Sequence, residues 1–173
     1  MYPYLRLIRL ILKHRPKKKL DIGDKSVLNM RVGIPDIDPF MELNNGRHLT
    51  IMDFGRYDLA IQSGLMKVIK KNKWGLAVAG ARVRYRHRLK YRMKYELHSQ
   101  VVGYDEKWFY FHQKTVRDGK IHSAALIRTA VTSKDGIVRS NKVLDAMGYD
   151  NIKYSVPDWV KAWAESDEMR PWH

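Results

Sequence analysis

The chain of 173 residues contains no cysteine, which excludes a disulfide framework, a thiolate zinc site and cysteine catalysis. It has no apolar run approaching the ~18 residues of a membrane-spanning helix. Acids are scarce beside bases: 18 Asp and Glu stand against 33 Lys and Arg, a formal charge of +15. No internal repeat or low-complexity linker divides the sequence, so one domain with modest extensions is expected. Hydrophobic residues still make up 45%, an ordinary globular share that excludes a disordered chain.

The basic excess is localised. Residues 1–19 carry seven Lys and Arg and no acid, and residues 81–94 carry seven more, again without an acid. Such an excess suits a polyanion, whether nucleic acid, a membrane surface, coenzyme A or an acidic carrier protein. In the first segment Tyr4, Leu7, Ile8 and Ile11 recur at helical spacing, with Arg6, Arg9 and Lys13 on another side. Arginines interrupt its apolar residues and no small-residue cleavage site follows, unlike a secretory signal. Two readings stay open: an interfacial anchor on anionic lipid, or a terminal helix packed on the domain with a solvated basic tail.

Residues 25–34 read as a strand ended by Pro35, and 36–43 as a loop. Asn44 or Asn45 suits a helix N-cap, and the helix runs from Gly46 to about Ser63, apolar on most of its circumference and so buried on several sides. Gly55 inside it predicts close backbone approach, because glycine there costs about 1 kcal/mol against alanine. Gly64 caps this helix, and LMKVIKKNK suggests a short second one. The period then changes to two. Strands are expected at 79–89, 91–103, 108–116 and 121–133, with hairpin turns at Asp118-Gly119 and Asp135-Gly136. Helices are expected from Ser140 to about Gly148 and after Pro157, the last with Trp159, Ala162 and Trp163 on one face. This order defines an α+β architecture, a strongly curved sheet wrapped around one long central helix.

The segment PDIDPFMELNNGRHLTIMDFGR, residues 35–56, bears the clearest chemistry. Two carboxylates, Asp36 and Asp38, precede a buried helix whose start offers unpaired N–H groups and the positive end of a dipole. An oxyanion can sit there. Acyl transfer with Asp38 as nucleophile or general base is one reading; an Asp-Pro turn before a capped helix is the plainer one.

The segment resembles the hotdog-fold acyl-CoA thioesterases of the 4-hydroxybenzoyl-CoA thioesterase type. The likeness lies in DIDPF, NNGRHL and DFGR, and in VRYRHRLKYRMKYELHSQVVGYDEKWFYFH with its Gly-x-Asp turn before an aromatic strand; it covers roughly residues 25–134. It implies a hotdog fold over 21–138, between a basic amphipathic extension at 1–20 and a C-terminal helical extension at 139–173. It implies that Asp38 is the catalytic aspartate, that the Asn45 amide donates to the oxyanion, that Gly46 admits the thioester and that Asn44 orients the loop or caps the helix. It further implies a dimer, left open toward a tetramer, with sites at the subunit interface. The substrate is then a thioester of coenzyme A or an acyl-carrier protein, with no further cofactor. Three places depart from the pattern: many relatives carry Gly-His at Met41-Glu42, tyrosine at His48 and proline at Arg88. Glu42 removes a possible positive partner and adds a like charge near Asp38; three readings stay open, that one carboxylate pKa is raised, that Glu42 points to solvent, or that activity is lost.

Other candidates are weaker. His48, one turn into the helix, is either substrate-side or a packing histidine. Glu42, His48, Arg84, Arg86 and Arg88 are the substrate-binding candidates, the arginines for phosphate. The scattered histidines give no ligand spacing, so no metal is expected. Asp53 and Arg56, three apart, are expected to pair. Tyr85, Tyr91 and Tyr95 fall opposite the arginines by strand parity, which disfavours nucleic acid. The expected protein is a cytoplasmic acyl thioesterase. The alternative is a non-catalytic acyl-thioester or lipid-binding hotdog protein, peripheral at the inner face of a membrane.

Overall fold

The computed structural model describes residues 3–13, 19–149 and 155–171, with side chains over 3–9, 19–149 and 155–171. Arg15, Lys17 and Lys18 of the basic N-terminal segment lie outside the described residues. The elements run α1 (Tyr4–Lys13), β1 (Ser26–Arg31), a 3-10 turn (Ile34–Asp36), α2 (Asn45–Gln62), α3 (Leu65–Asn72), β2 (Gly75–Tyr85), β3 (Lys94–Tyr104), β4 (Phe109–Arg117), β5 (Lys120–Ser133), β6 (Gly136–Val138), α4 (Ser140–Met147) and α5 (Asp158–Glu168). The strands form one antiparallel sheet in the order β1-β3-β4-β5-β2, with β6 on the end of β5. The sheet curls as a half-barrel. Bulges between Val78 and Gly80 in β2 and between Val101 and Gly103 in β3 supply local bending.

The sheet wraps α2, whose Ile51, Met52, Phe54 and Leu59 are buried against Leu28, Leu97, Phe111 and Ile127. Gly55 is the point of closest approach. A Cβ there would overlap Ser99 Oγ and stand 2.8 Å from Gln113 Nε2, so the expected tight contact is a real steric requirement. Buried Asp58 ties the far end of α2 to β1 through Ser26 and to Gln62. A second apolar cluster covers the other side of the sheet, where Val160 and Trp163 of α5 pack on Tyr110 and Leu126. Covering both sides explains why residues 125–131 of β5 are all buried. The buried side of α5 is Val160 and Trp163; Trp159 is half-exposed and Ala162 exposed, so the expected 159/162/163 face is rotated. The pull comes from Arg128 on β5. Its guanidinium lies 5.1 Å from the Trp108 ring and 5.6 Å from the Trp163 ring, and it bonds Asp167 at 3.0 Å and Glu168 at 2.8 Å.

Three strands differ from their sequence reading by three residues or more at an end. β1 stops at Arg31 instead of 34, and β3 begins at Lys94 instead of 91. β2 begins at Gly75 instead of 79 and ends at Tyr85 instead of 89. Its ladder on β5 finishes at Tyr85↔Ser123, and His122 O then accepts from both the Arg86 and His87 amides. The chain leaves the sheet there, although the alternation of arginine with apolar residues continues, and Leu43 N donates to Leu89 O at 2.8 Å. Arg86 and Arg88 therefore lie on a loop.

Candidate functional site

Three short segments assemble the start of α2. Asn44 caps it: its Oδ1 accepts from the amides of Gly46 at 2.9 Å and Arg47 at 3.4 Å. Asn44 N donates to Asp36 O at 2.9 Å, and Arg47 Nε to Pro35 O at 2.9 Å. These bonds clamp the helix start to the 3-10 turn. The chain between them folds into a miniature hairpin, with Ile37 bridging Leu43 and Asp38 N donating to Glu42 O at 2.9 Å. Half-buried Asp38 sits in its turn. One carboxylate oxygen accepts from Phe40 N at 2.9 Å and Glu42 N at 3.4 Å, which fixes the rotamer and leaves the second oxygen outside these two bonds. Met41 completes the turn in the left-handed region at φ 60°.

The Asn45 amide is the one first-turn N–H that the cap does not use. Asn45 is exposed, and its carbonyl accepts from Tyr85 hydroxyl at 3.3 Å. Gly46 beside it is also exposed, and a Cβ there would come within 3.3 Å of the capping oxygen. Asp38, Asn44, Asn45 and Gly46 thus belong to one small hydrogen-bonded unit.

The remaining sequence candidates have specific partners. Glu42 is half-buried and ion-paired to Arg88 at 3.2 Å, so a cation answers its charge and the like-charge conflict with Asp38 is relieved. Arg84 on β2 and Arg86 on the loop are exposed. His48 is buried, with Nδ1 3.2 Å from Ser123 Oγ, which itself lies 2.7 Å from Thr115 Oγ1. Burial pushes its pKa down from 6.5 to about 4, so it is a neutral ring at physiological pH. The Tyr85 ring meets it edge-on at 5.0 Å.

A second feature escaped the sequence. An apolar cavity of about 260 Å³ lies between the middle of α2 and the sheet, walled by Leu59, Leu76, Val78, Phe109, Phe111 and Val131. Asp53, Arg56 and Tyr57 supply its polar edge; Asp38 does not line it. Asp53 and Arg56 are ion-paired, as their spacing predicts. Arg56 also donates to Gln113 Oε1 at 2.6 Å, and Gln113 Nε2 donates to Met52 O and Ser99 Oγ, each at 2.8 Å. Burial raises the Asp53 pKa against the opposing pull of Arg56. The local signal is this i,i+3 pair on a helix that is apolar on most of its circumference. The cavity walls come from positions scattered between 22 and 147, which no local window joins.

A curled antiparallel sheet around one capped helix, with a carboxylate hairpin at the helix start, is the hotdog arrangement, and solved structures agree with that. Similar folds include the probable thioesterase YbaW from Escherichia coli (TM-score 0.65, 16% identity, 71% of this chain and 96% of that one). They also include the gentisyl-coenzyme A thioesterase BH1999 (TM-score 0.62, 13% identity, 69% and 99%). A third is SAV2348 from Staphylococcus aureus, solved in complex with CoA (TM-score 0.64, 12% identity, 80% and 91%). Residues 32–164 match the sequence model of the Thioesterase-like superfamily, and the chain belongs to that family. Among curated proteins it is similar to Protein THEM6 of Danio rerio, 33% identical over 113 residues, which is 64% of this chain and 56% of that protein. Protein THEM6 of Drosophila melanogaster is 23% identical over 156 residues, 88% of this chain and 79% of that protein. The chain thus spans little more than half of the zebrafish relative. Among the described residues no helix is long and apolar enough to cross a membrane.

Proposed function

We propose that this chain hydrolyses acyl thioesters of coenzyme A or an acyl-carrier protein, with Asp38 as nucleophile or general base and the Asn45 amide as oxyanion donor. The observation that carries this reading is the division of labour at the start of α2. Asn44 satisfies the Gly46 and Arg47 amides and leaves the amide of exposed Asn45, the first residue of α2, outside the cap, two residues past the hairpin that holds Asp38. An open N–H at the positive end of a helix stabilises negative charge developing on a carbonyl oxygen. A carboxylate with a fixed rotamer is positioned either to attack the carbonyl carbon or to deprotonate water. The apolar cavity suits an acyl group, and the exposed Arg84 and Arg86 suit phosphate.

The same reading includes a homodimer. β2 is an edge strand of the sheet, and its Leu76 and Val78 are 44% and 55% exposed. An unpaired apolar edge is a template for a second strand. A second copy paired along β2 would cover these residues and wall the cavity's open side.

A second catalytic assignment has its own support, because Asp53 lines the cavity and burial favours its protonated form. Acyl-CoA hydrolysis by wild type, Asp38→Asn and Asp53→Asn separates the two. Loss of at least roughly 100-fold in kcat, the scale of a positioned acid–base group, is expected for Asp38→Asn. Retained activity there, with loss in Asp53→Asn, moves the chemistry to the helix. Saturable acyl-CoA binding without turnover of any chain length would replace hydrolysis by binding alone.

A further inference from the structure

The described side chains of helix α1, residues 4–9, do not divide into an apolar inner and a charged outer side. Its inward side carries a charge: Arg6 pairs with buried Asp36 at 2.7 Å and donates to Arg31 O at 3.0 Å. That guanidinium also lies 5.7 Å from the Phe54 ring, and Leu7 packs on the core beside it. Leu5 and Ile8, among the described side chains of α1, point outward instead, 85% and 50% exposed. Ile34, on the 3-10 turn to which Arg6 binds, is 69% exposed. Among the described residues, nothing packs over this aliphatic set on a helix held by the partly buried Arg6–Asp36 pair.

The rim of this patch is cationic. Arg31 and Arg92 border a shallow groove that also includes Ile34, Pro35 and Tyr91. Arg31 Nε donates to Arg92 O at 3.1 Å, which holds the two together, while both residues stay exposed. Arg92 occupies the left-handed region at φ 66°, where glycine or asparagine would sit with less strain; the chain keeps a guanidinium there. Arg9 lies on the exposed part of α1.

We propose that this face docks on an anionic lipid bilayer, with Leu5, Ile8 and Ile34 entering the interface and Arg9, Arg31 and Arg92 meeting lipid phosphates. Aliphatic side chains inside a ring of cations match such a surface, which offers a hydrocarbon boundary beneath negative headgroups. A second copy fits worse. Three aliphatic side chains fall well short of the ~800 Å² per partner of a stable interface, and two basic faces repel. β1 lies at the opposite edge of the sheet from β2, so docking here leaves the β2 edge available. The docking face stands whether or not the chain hydrolyses thioesters.

The test is co-sedimentation of the full chain with vesicles of phosphatidylcholine alone and of equimolar phosphatidylcholine and phosphatidylserine. Binding should be confined to the anionic vesicles and should fall as salt rises. Arg31→Gln with Arg92→Gln should weaken it roughly 25-fold, at about fivefold per cation. Leu5→Ser with Ile8→Ser should weaken it at least roughly tenfold. All four positions are exposed and outside the Arg6–Asp36 pair, so wild-type circular dichroism and melting are expected of both variants. Equal binding to neutral vesicles, or an unchanged bound fraction in either variant, overturns the proposal. So does lipid-free self-association abolished by the serine pair, which would make a second copy the occupant.

Discussion

Gly55→Ala offers a direct test of how α2 is seated. On helix propensity alone the substitution should stabilise by about 1 kcal/mol. The structure reverses the sign. The new Cβ would overlap Ser99 Oγ and crowd Gln113 Nε2 at 2.8 Å, both among the fully buried polar residues. Overpacking of this kind costs about 1–3 kcal/mol. Displacing Ser99 also breaks its bond from Gln113, and a buried donor left unpaired costs a further 1–3 kcal/mol or so. After subtracting the propensity gain, a net loss of about 3 kcal/mol remains, a fall of roughly 6–12 °C in Tm for a chain of this size.

Urea denaturation at constant m measures the loss, and a mutant cycle locates it. Ser99→Ala alone removes the Gln113 acceptor and should cost about 1–2 kcal/mol. In the double variant the offending oxygen is gone, so the two losses should fall short of additivity by about 1 kcal/mol or more. A Gly55→Ala midpoint at or above wild type would refute the close approach. Additive losses would mean that the clash is not with Ser99. The consequence reaches the cavity, because Gln113 also holds Arg56, the partner of Asp53. Gly55→Ala should therefore disturb the cavity edge as well as stability.

Two further predictions concern charge. Because folding lowers the His48 pKa from 6.5 to about 4, the unfolded chain binds more protons across that interval. Stability is full above about pH 7 and declines as pH falls from 6.5 toward 4, by at most about 3 kcal/mol from this residue. His112 shifts the same way through burial, so the measurement is the difference between wild type and His48→Gln in urea titrations at several pH values; identical slopes would show that His48 is not buried and neutral. Arg128→Met leaves Asp167, with 14% of its side chain exposed, paired with the exposed Arg170 at 3.1 Å in place of its buried cation, and should cost about 1–3 kcal/mol. Asp167→Leu in the same chain should recover most of that, and tryptophan fluorescence should report the loosening of Trp163; a stable single variant with native fluorescence would remove the ion pair from the docking of α5.

What could be read from the sequence follows from what is local. The Asn44 cap, the Gly55 approach and the Asp118-Gly119 turn are each signalled by residues within a few positions, and each lies where patterning placed it; the second turn falls one residue earlier than expected, at Lys134-Asp135, with Gly136 already paired in β6. The ends of β2 depend on its partner. Residues 75–80 are small or aliphatic on both parities, so no alternation marks the start; at the other end alternation continues after the β5 ladder has stopped. The inward turn of Arg6 on α1 has the same origin. The helix spacing signals an apolar face, but the buried carboxylate that draws Arg6 inward lies 30 residues away. Glu42 likewise looked like a conflict with Asp38 until the fold brought Arg88 to it.

The two candidate carboxylates, Asp38 on the hairpin before α2 and Asp53 in the middle of that helix, are set apart along the chain's central helix, and that separation has a chemical consequence. Asn45 and Asp53 are eight residues apart on α2, or about 12 Å at 1.5 Å per residue. If the thioester carbonyl lies on the Asn45 amide while the acyl tail fills the cavity beside Asp53, the acyl group must span most of that distance. Catalysis by Asp38 then favours longer chains, since a short acyl group cannot both reach the amide and bury its tail. Catalysis by Asp53 puts the carbonyl at the cavity edge and leaves room only for a shorter or more compact acyl group. The chain-length profile of kcat/KM is therefore a second and independent reading of which carboxylate works. It stays informative if both single variants lose activity, for binding energy from the tail lowers the barrier only when the carbonyl sits where the reacting groups are.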